Sequence, residues 1–353
     1  MENSSKPAGQ PLPADPGAPT YLPDGQAARM GGKVHGESPK AVIAAVLANI
    51  AIGIVKFIAA FFSGSSAMIS EGVHSIVDSG NGLLILLGMR RAQRRPDLAH
   101  PFGYGQELYF WTLVVAVMIF ALGGGVSLYE GISRIQKITP GTTLGDPTLT
   151  YIILVISALI EGASFTVALR EFNAARGDMS PLRFIKEAKD PSTFTVVLED
   201  GAAELGLAIA FLGTFLGHAL GNPFFDGGAS ILIGVLLAGV AVVLLRETKG
   251  LLIGEGLRAD EVREVERIVK SDPLVIECGR VLSLYLGPHD MLLAVDVTFE
   301  DGAERDNIDA SIDAIESAIV SAFPQTTRIF VEPENLRATT KSARRMDELM
   351  GER

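Results

Sequence analysis

Six stretches of this chain are each long and apolar enough to span a bilayer, which takes roughly 20 residues of helix. They fall at about 41–62, 68–89, 108–130, 150–171, 192–217 and 226–245. A helix on the surface of a soluble bundle keeps a polar stripe. The third stretch, containing "LVVAVMIFALGGGV", has none. Backbone polar groups in hydrocarbon must be satisfied within the fold, so this pattern commits the chain to transmembrane helices. The remaining composition narrows the options. A formal net charge of −11 argues against a nucleic-acid partner. The single cysteine, Cys278, excludes a disulfide framework and a multi-cysteine zinc cluster.

Residues 1–38 are rich in Pro, Gly and Ala and contain no apolar signal core, so they are predicted to be a disordered tail. Residues 39–250 form the predicted six-helix, all-α transmembrane domain. A small cytoplasmic α+β domain is predicted over 255–335. There "RADEVREVERIVKSD" and "NIDASIDAIESAIVSAF" have helical spacing, while "CGRVLSLYLG", "MLLAVDVTFED" and "TTRIFVEPE" read as strands. The order αββαβ resembles a ferredoxin-like unit, and its apolar strand faces suit dimerisation. Residues 336–353 read as a flexible tail. Arg90, Arg91, Arg94 and Arg95 follow the second stretch; Arg170, Arg176, Arg183, Lys186 and Lys189 follow the fourth. The loop after the third has only Arg134 and Lys137, so positive charge places loops two and four, and both termini, in the cytoplasm.

The second stretch carries "SEGVHSIVDSGN", with His74 and Asp78 one turn apart on one helical face. The fifth carries Glu199 and Asp200. Ionisable groups inside a membrane are costly and point to function. Imidazole with carboxylate suits zinc and its neighbours, whereas all-oxygen sets suit manganese or magnesium. Two carboxylates and a neutral imidazole around a divalent cation leave a net charge near zero, the form best tolerated away from water. Without metal, two close carboxylates retain protons, which gives a physical route to metal–proton antiport.

Six spans, "SEGVHSIVDSGN", "HPFGYGQE", "FFDGGASILIG", "GE" at Gly254–Glu255 and the αββαβ domain together resemble the cation diffusion facilitators, a family of divalent-metal exporters. The resemblance covers about residues 40–335. It implies a homodimer in the lipid bilayer that exports metal in exchange for protons by alternating access, with the ion held between spans two and five. It implies no enzyme activity and no cofactor beyond the transported ion, zinc first, with iron, manganese, cobalt or nickel as alternatives. A bacterial inner membrane is the expected location.

His74 and Asp78 match the family's first ligand pair, and Asp200 matches one member of the second. Four residues before Asp200 stands Val196, which cannot bind metal. Glu199 is the candidate replacement; a structural glutamate, or water in the shell, is the alternative. A histidine at 196 would share the helical face of Asp200. Glu71 is a candidate for the ion path or for helix-end solvation. Glu161 is expected to pair with Lys56, with a relay role as the alternative, and Asn81 and Glu204 are weaker path candidates. His100, Pro101 and Phe102 fit the family's signature after the second span and suggest a conformational or packing role rather than metal binding. His289 and Asp290 could hold a regulatory ion or form an ordinary turn. An intramembrane metalloenzyme would want an HExxH helix, which none of the histidines begins. A transport-inactive metal sensor or scaffold is the other rival, suggested by Val196.

Overall fold

The computed structural model describes residues 39–139 and 144–334; the predicted tails lie outside the described residues. Six long helices form the larger part: α1 (Pro39–Ser63), α2 (Ser66–Ala92), α3 (Glu107–Gln136), α4 (Thr148–Arg176), α6 (Pro191–Ala219) and α7 (Phe224–Ile253). A short α5 (Pro181–Glu187) precedes α6. Among the described residues α3, α4 and α7 are long and apolar enough to cross a membrane, and α1 contributes the shorter apolar helix Asn49–Ser63. Ionisable residues dilute the hydropathy of α2 and α6. The last helix runs on from the expected end near 245 to Ile253, because the charged "RETKG" leaves the apolar run yet consists mostly of good helix formers.

Local chemistry sets the helix starts. The Ser65 hydroxyl accepts the Met68 N–H at the head of α2. The Asp190 carboxylate accepts the Ser192 N–H at the head of α6, where Pro191 occupies the first position. Close glycine contacts bring α3 onto α7. A Cβ on Gly131 would lie 2.7 Å from the Gly227 carbonyl, and one on Gly234 would lie 2.8 Å from the Leu128 nitrogen. Small residues let membrane helices approach this closely. A π turn, Ile119–Gly124, interrupts α3 beside this seam.

The C-terminal part has the expected order: α8 (Ala259–Lys270), β1 (Val275–Gly287), β2 (Asp290–Phe299), α9 (Arg305–Ala322) and β3 (Thr326–Glu334). Strand order is β1-β2-β3, with β1 antiparallel and β3 parallel to β2. Met291, Leu293, Val295 and Val297 alternate along β2 into a core with Val265 and Val269 of α8 and Ile315 and Ile319 of α9. The row Leu282–Ala294–Phe330 crosses the sheet. Leu282 is 56% and Phe330 54% exposed, a bare apolar patch. Cys278 is buried in the core, and that burial pushes its thiol up to about 11.

The loop "HPFGYGQE" between α2 and α3 seats this domain. A Cβ on Gly105 would lie 2.2 Å from the Leu286 carbonyl, so only glycine allows the contact. Arg328 lies over Phe102, 5.5 Å from the ring centroid. Lys189 Nζ pairs with Glu255 at 2.6 Å and sits 5.4 Å from the Tyr285 ring centroid. Within the loop, Tyr104 donates to Asp97 at 2.6 Å. That hydroxyl and the His100 N–H hold the Asp97 carboxyl below the usual carboxylate range. His100 packs on the Tyr104 ring at 4.2 Å. Packing is the role the structure gives this motif.

Candidate metal centre

Helix α2 presents one polar stripe to the interior. Glu71, His74, Asp78 and Asn81 recur three, four and three residues apart, the period of one helical face. The stripe runs for about 15 Å at the 1.5 Å rise of a helix. Each of the four has a buried side-chain atom without a hydrogen-bond partner: Glu71 Oε1, both ring nitrogens of His74, Asp78 Oδ1 and Asn81 Oδ1. His74 Nδ1 and Asp78 Oδ1 lie 3.3 Å apart, yet His74 Nδ1 makes no well-formed hydrogen bond. Leaving buried polar atoms unsatisfied costs about 1–3 kcal/mol each. Carboxylate, amide and imidazole acceptors in a line are groups that a cation could satisfy.

Helix α6 faces this stripe with Glu199. Its carboxylate accepts a hydrogen bond from Asn81 Nδ2 at 3.0 Å and is almost fully buried. Asp200, one residue on, turns instead toward α4 and accepts from Ser164 Oγ at 3.1 Å. Val196 shares the Asp200 side of the helix and is 39% exposed. The Asn81–Glu199 hydrogen bond joins the stripe of α2 to α6 three residues beyond Asp78. The donors are therefore neighbours but have not converged: among the described residues no three His, Cys, Asp or Glu side chains form a ready metal cage.

Beside the stripe lies a second ionic cluster. Lys56 of α1 is fully buried and donates to Glu161 Oε1 of α4 at 2.8 Å, to Glu71 Oε2 at 3.1 Å and to Ser75 Oγ at 3.0 Å. The expected Lys56–Glu161 pair is present, and Glu71 joins it. Ser75 went unnoticed in the sequence, where a serine inside an apolar helix carries little signal.

A third buried carboxylate, Asp226 at the start of α7, is satisfied at the other end of α2. It accepts from the Ser65 hydroxyl, from Ser66 N at 2.8 Å and from Ser66 Oγ at 3.0 Å. Arg134 lies 3.7 Å away. The phrase "FFDGG" was the only signal for it. In the C-terminal domain, Asp290 is bound to Arg328 at 2.8 Å and to Thr327, while His289 is exposed. An ordinary turn describes that pair.

The cation efflux transmembrane domain matches residues 42–253. The chain belongs to that family, the cation diffusion facilitators, which are membrane transporters and not enzymes. Metal tolerance protein C4 of Arabidopsis thaliana is 32% identical over 264 residues, 74% of this chain and 57% of its own length. The mitochondrial proton-coupled zinc antiporter SLC30A9 of Homo sapiens is 33% identical over 263 residues, 74% of this chain and 46% of its own. The chain thus spans about half the length of these two relatives. The cation-efflux pump FieF of Escherichia fergusonii is 25% identical over 292 residues, 81% of this chain and 89% of its own.

These likenesses correct one expectation. The relatives at 32–33% identity are a plant protein and mitochondrial antiporters, so the expected bacterial inner membrane does not stand; a membrane protein does. Span lengths and loop charges report a hydrocarbon layer and which face carries the positive loops. They do not distinguish one energised membrane from another.

Proposed function

We propose that this chain exports a divalent transition metal, zinc first, in exchange for protons, by alternating access across six spans. The observation that carries the reading is the buried His74 imidazole: both nitrogens lack partners, and Asp78 lies 3.3 Å away. A neutral imidazole beside carboxylates is a donor set for zinc. In the proposed cycle His74 and Asp78 receive the cation, and Glu199 leaves Asn81 to complete the charge. Asp200 adds its carboxylate when α6 turns it from Ser164. The arrangement described here is then the open, dispersed state, and convergence of α2 and α6 is the occluded one.

Proton exchange follows from the same charge count. Two carboxylates with M²⁺ are neutral; once the metal leaves, like charges in a dry site take up protons in its place. The related human protein is a proton-coupled zinc antiporter by name, which supports this direction of reading. The bare row Leu282–Ala294–Phe330 supports a homodimer through the C-terminal sheet.

The test is flux in proteoliposomes of the full chain, with a panel of metals and an imposed pH gradient. Zinc movement that accelerates with an opposing proton gradient and alkalinises or acidifies the lumen in step is the expected result. Metal binding without flux would leave a sensor or scaffold and overturn transport.

A further inference from the structure

We propose that Glu71 and Glu161 form a second divalent-cation site, in which the ammonium of Lys56 now sits. The place already takes a cation, and takes it from three elements. Lys56 comes from α1, Glu71 and Ser75 from α2, and Glu161 from α4, with donor–acceptor distances of 2.8–3.1 Å. The charges do not close: one ammonium faces two carboxylates, which leaves the cluster one positive charge short. A divalent cation in the same place brings it to neutrality.

The donor geometry points the same way. Glu71 Oε1 and Glu161 Oε2 are buried and lack hydrogen-bond partners, so each carboxylate has one oxygen on Lys56 and one in reserve. Glu71 Oε1 lies against α6, 2.4 Å from where a Cβ on Gly206 would stand. Glu204 of α6 stands outside this two-carboxylate count: its unpartnered Oε1 lies 3.2 Å from where a Cβ on Gly162, next to Glu161, would stand. Hydroxyl and carboxylate oxygens without nitrogen make a hard set, suited to Mn²⁺ or Mg²⁺ rather than to a soft ion. This distinguishes the cluster from the His74 centre one turn along α2. Lys56 thus acts as a tethered occupant that keeps the carboxylate pair from trapping hard ions.

The experiment counts Mn²⁺ bound by the purified full chain in detergent, read by loss of the free-ion paramagnetic signal. Lys56→Met should bind one more Mn²⁺ per chain than the unmodified protein. The gain should vanish when Glu71→Gln and Glu161→Gln are added. Because the readout is a difference, the same gain of one is expected in an Asp78→Ala background, whether or not His74 and Asp78 carry the cargo. Unchanged stoichiometry in folded Lys56→Met overturns the proposal. Recovery of folded Lys56→Met only with Mn²⁺ present supports it. Failure to fold even in saturating Mn²⁺ counts against it, since a bound divalent ion would replace the lost charge. Lys56→Gln, which keeps one donor in the cluster, is counted in parallel and read by the same criterion.

Discussion

Two ionic groups share the same turns of α2 and differ in one respect. The Glu71–Ser75 side is held by a cation built into the chain, Lys56, which reaches α2 and α4 together. The His74–Asp78–Asn81 side has no such cation; both His74 nitrogens, Asp78 Oδ1 and Asn81 Oδ1 stand without hydrogen-bond partners in the interior. Burial alone therefore does not set the proposed transport site apart in this fold. Asp226 is buried too and is engaged by Ser65 and Ser66. The mark is burial with the counter-charge left out.

The largest expected effect breaks the comparison directly. Removing Lys56 leaves two buried carboxylates facing each other, and breaking a buried pair costs about 3–5 kcal/mol. Lys56→Met in chelator should therefore lose most of its thermal stability margin. Asp78→Ala removes an unsatisfied acid, so the same melting measurement should give an unchanged or raised midpoint. Flux should behave in the opposite way for Asp78→Ala, falling by more than about 100-fold, since losing even a group that supports a ligand costs 10–100-fold. A destabilised Asp78→Ala would mean that the stripe is held by contacts of its own and is not waiting for a cation.

A smaller effect is expected at Glu199. Glu199→Gln keeps the shape and the Asn81 hydrogen bond but removes a charge that the cation would use. Flux should fall by about 10-fold, with the apparent affinity for zinc weakened more than the maximal rate. The same substitution at Asp200, as Asp200→Asn, tests the other carboxylate of α6. If only Asp200→Asn reduces flux, Glu199 is a structural partner of Asn81 and the dispersed arrangement understates the role of Asp200.

The sequence exposed some of this and hid the rest, for physical reasons. Helix lengths were legible because hydrocarbon demands them. His74 with Asp78 was legible because a four-residue spacing fixes a shared face without any tertiary knowledge. Lys56 with Glu161 was legible across 105 positions because a buried lysine must find an acid. The rotation of α6 was not. Glu199 and Asp200 are adjacent on that helix, so spacing does not tell which of their two flanks meets α2, and only packing assigns Glu199 inward and Asp200 toward Ser164. Ser75 and Asp226 were missed because their partners are a lysine tip and the hydroxyls and amide of a helix start 160 residues away, neither of which leaves a trace in residue spacing.

That rotation gives the finest test. Read from spacing, Val196→His restores a ligand beside Asp200 and should draw the site toward zinc. The structure sets Val196 on the flank with Asp200, 39% exposed, away from the Asn81–Glu199 contact. A histidine there has no path to His74 or Asp78 unless α6 turns. With α6 fixed, flux and the zinc-to-manganese ratio in Val196→His should stay within about twofold of the unmodified chain, the small scatter usual for surface changes. A shift of about tenfold toward zinc would show that the 196–200 flank reaches α2 during the cycle, as nitrogen donors favour that metal. In that event the separation of Asp200 from the stripe belongs to one state of the transporter. The Glu199→Gln variant carrying the same histidine would then tell whether the two flanks act in turn or together.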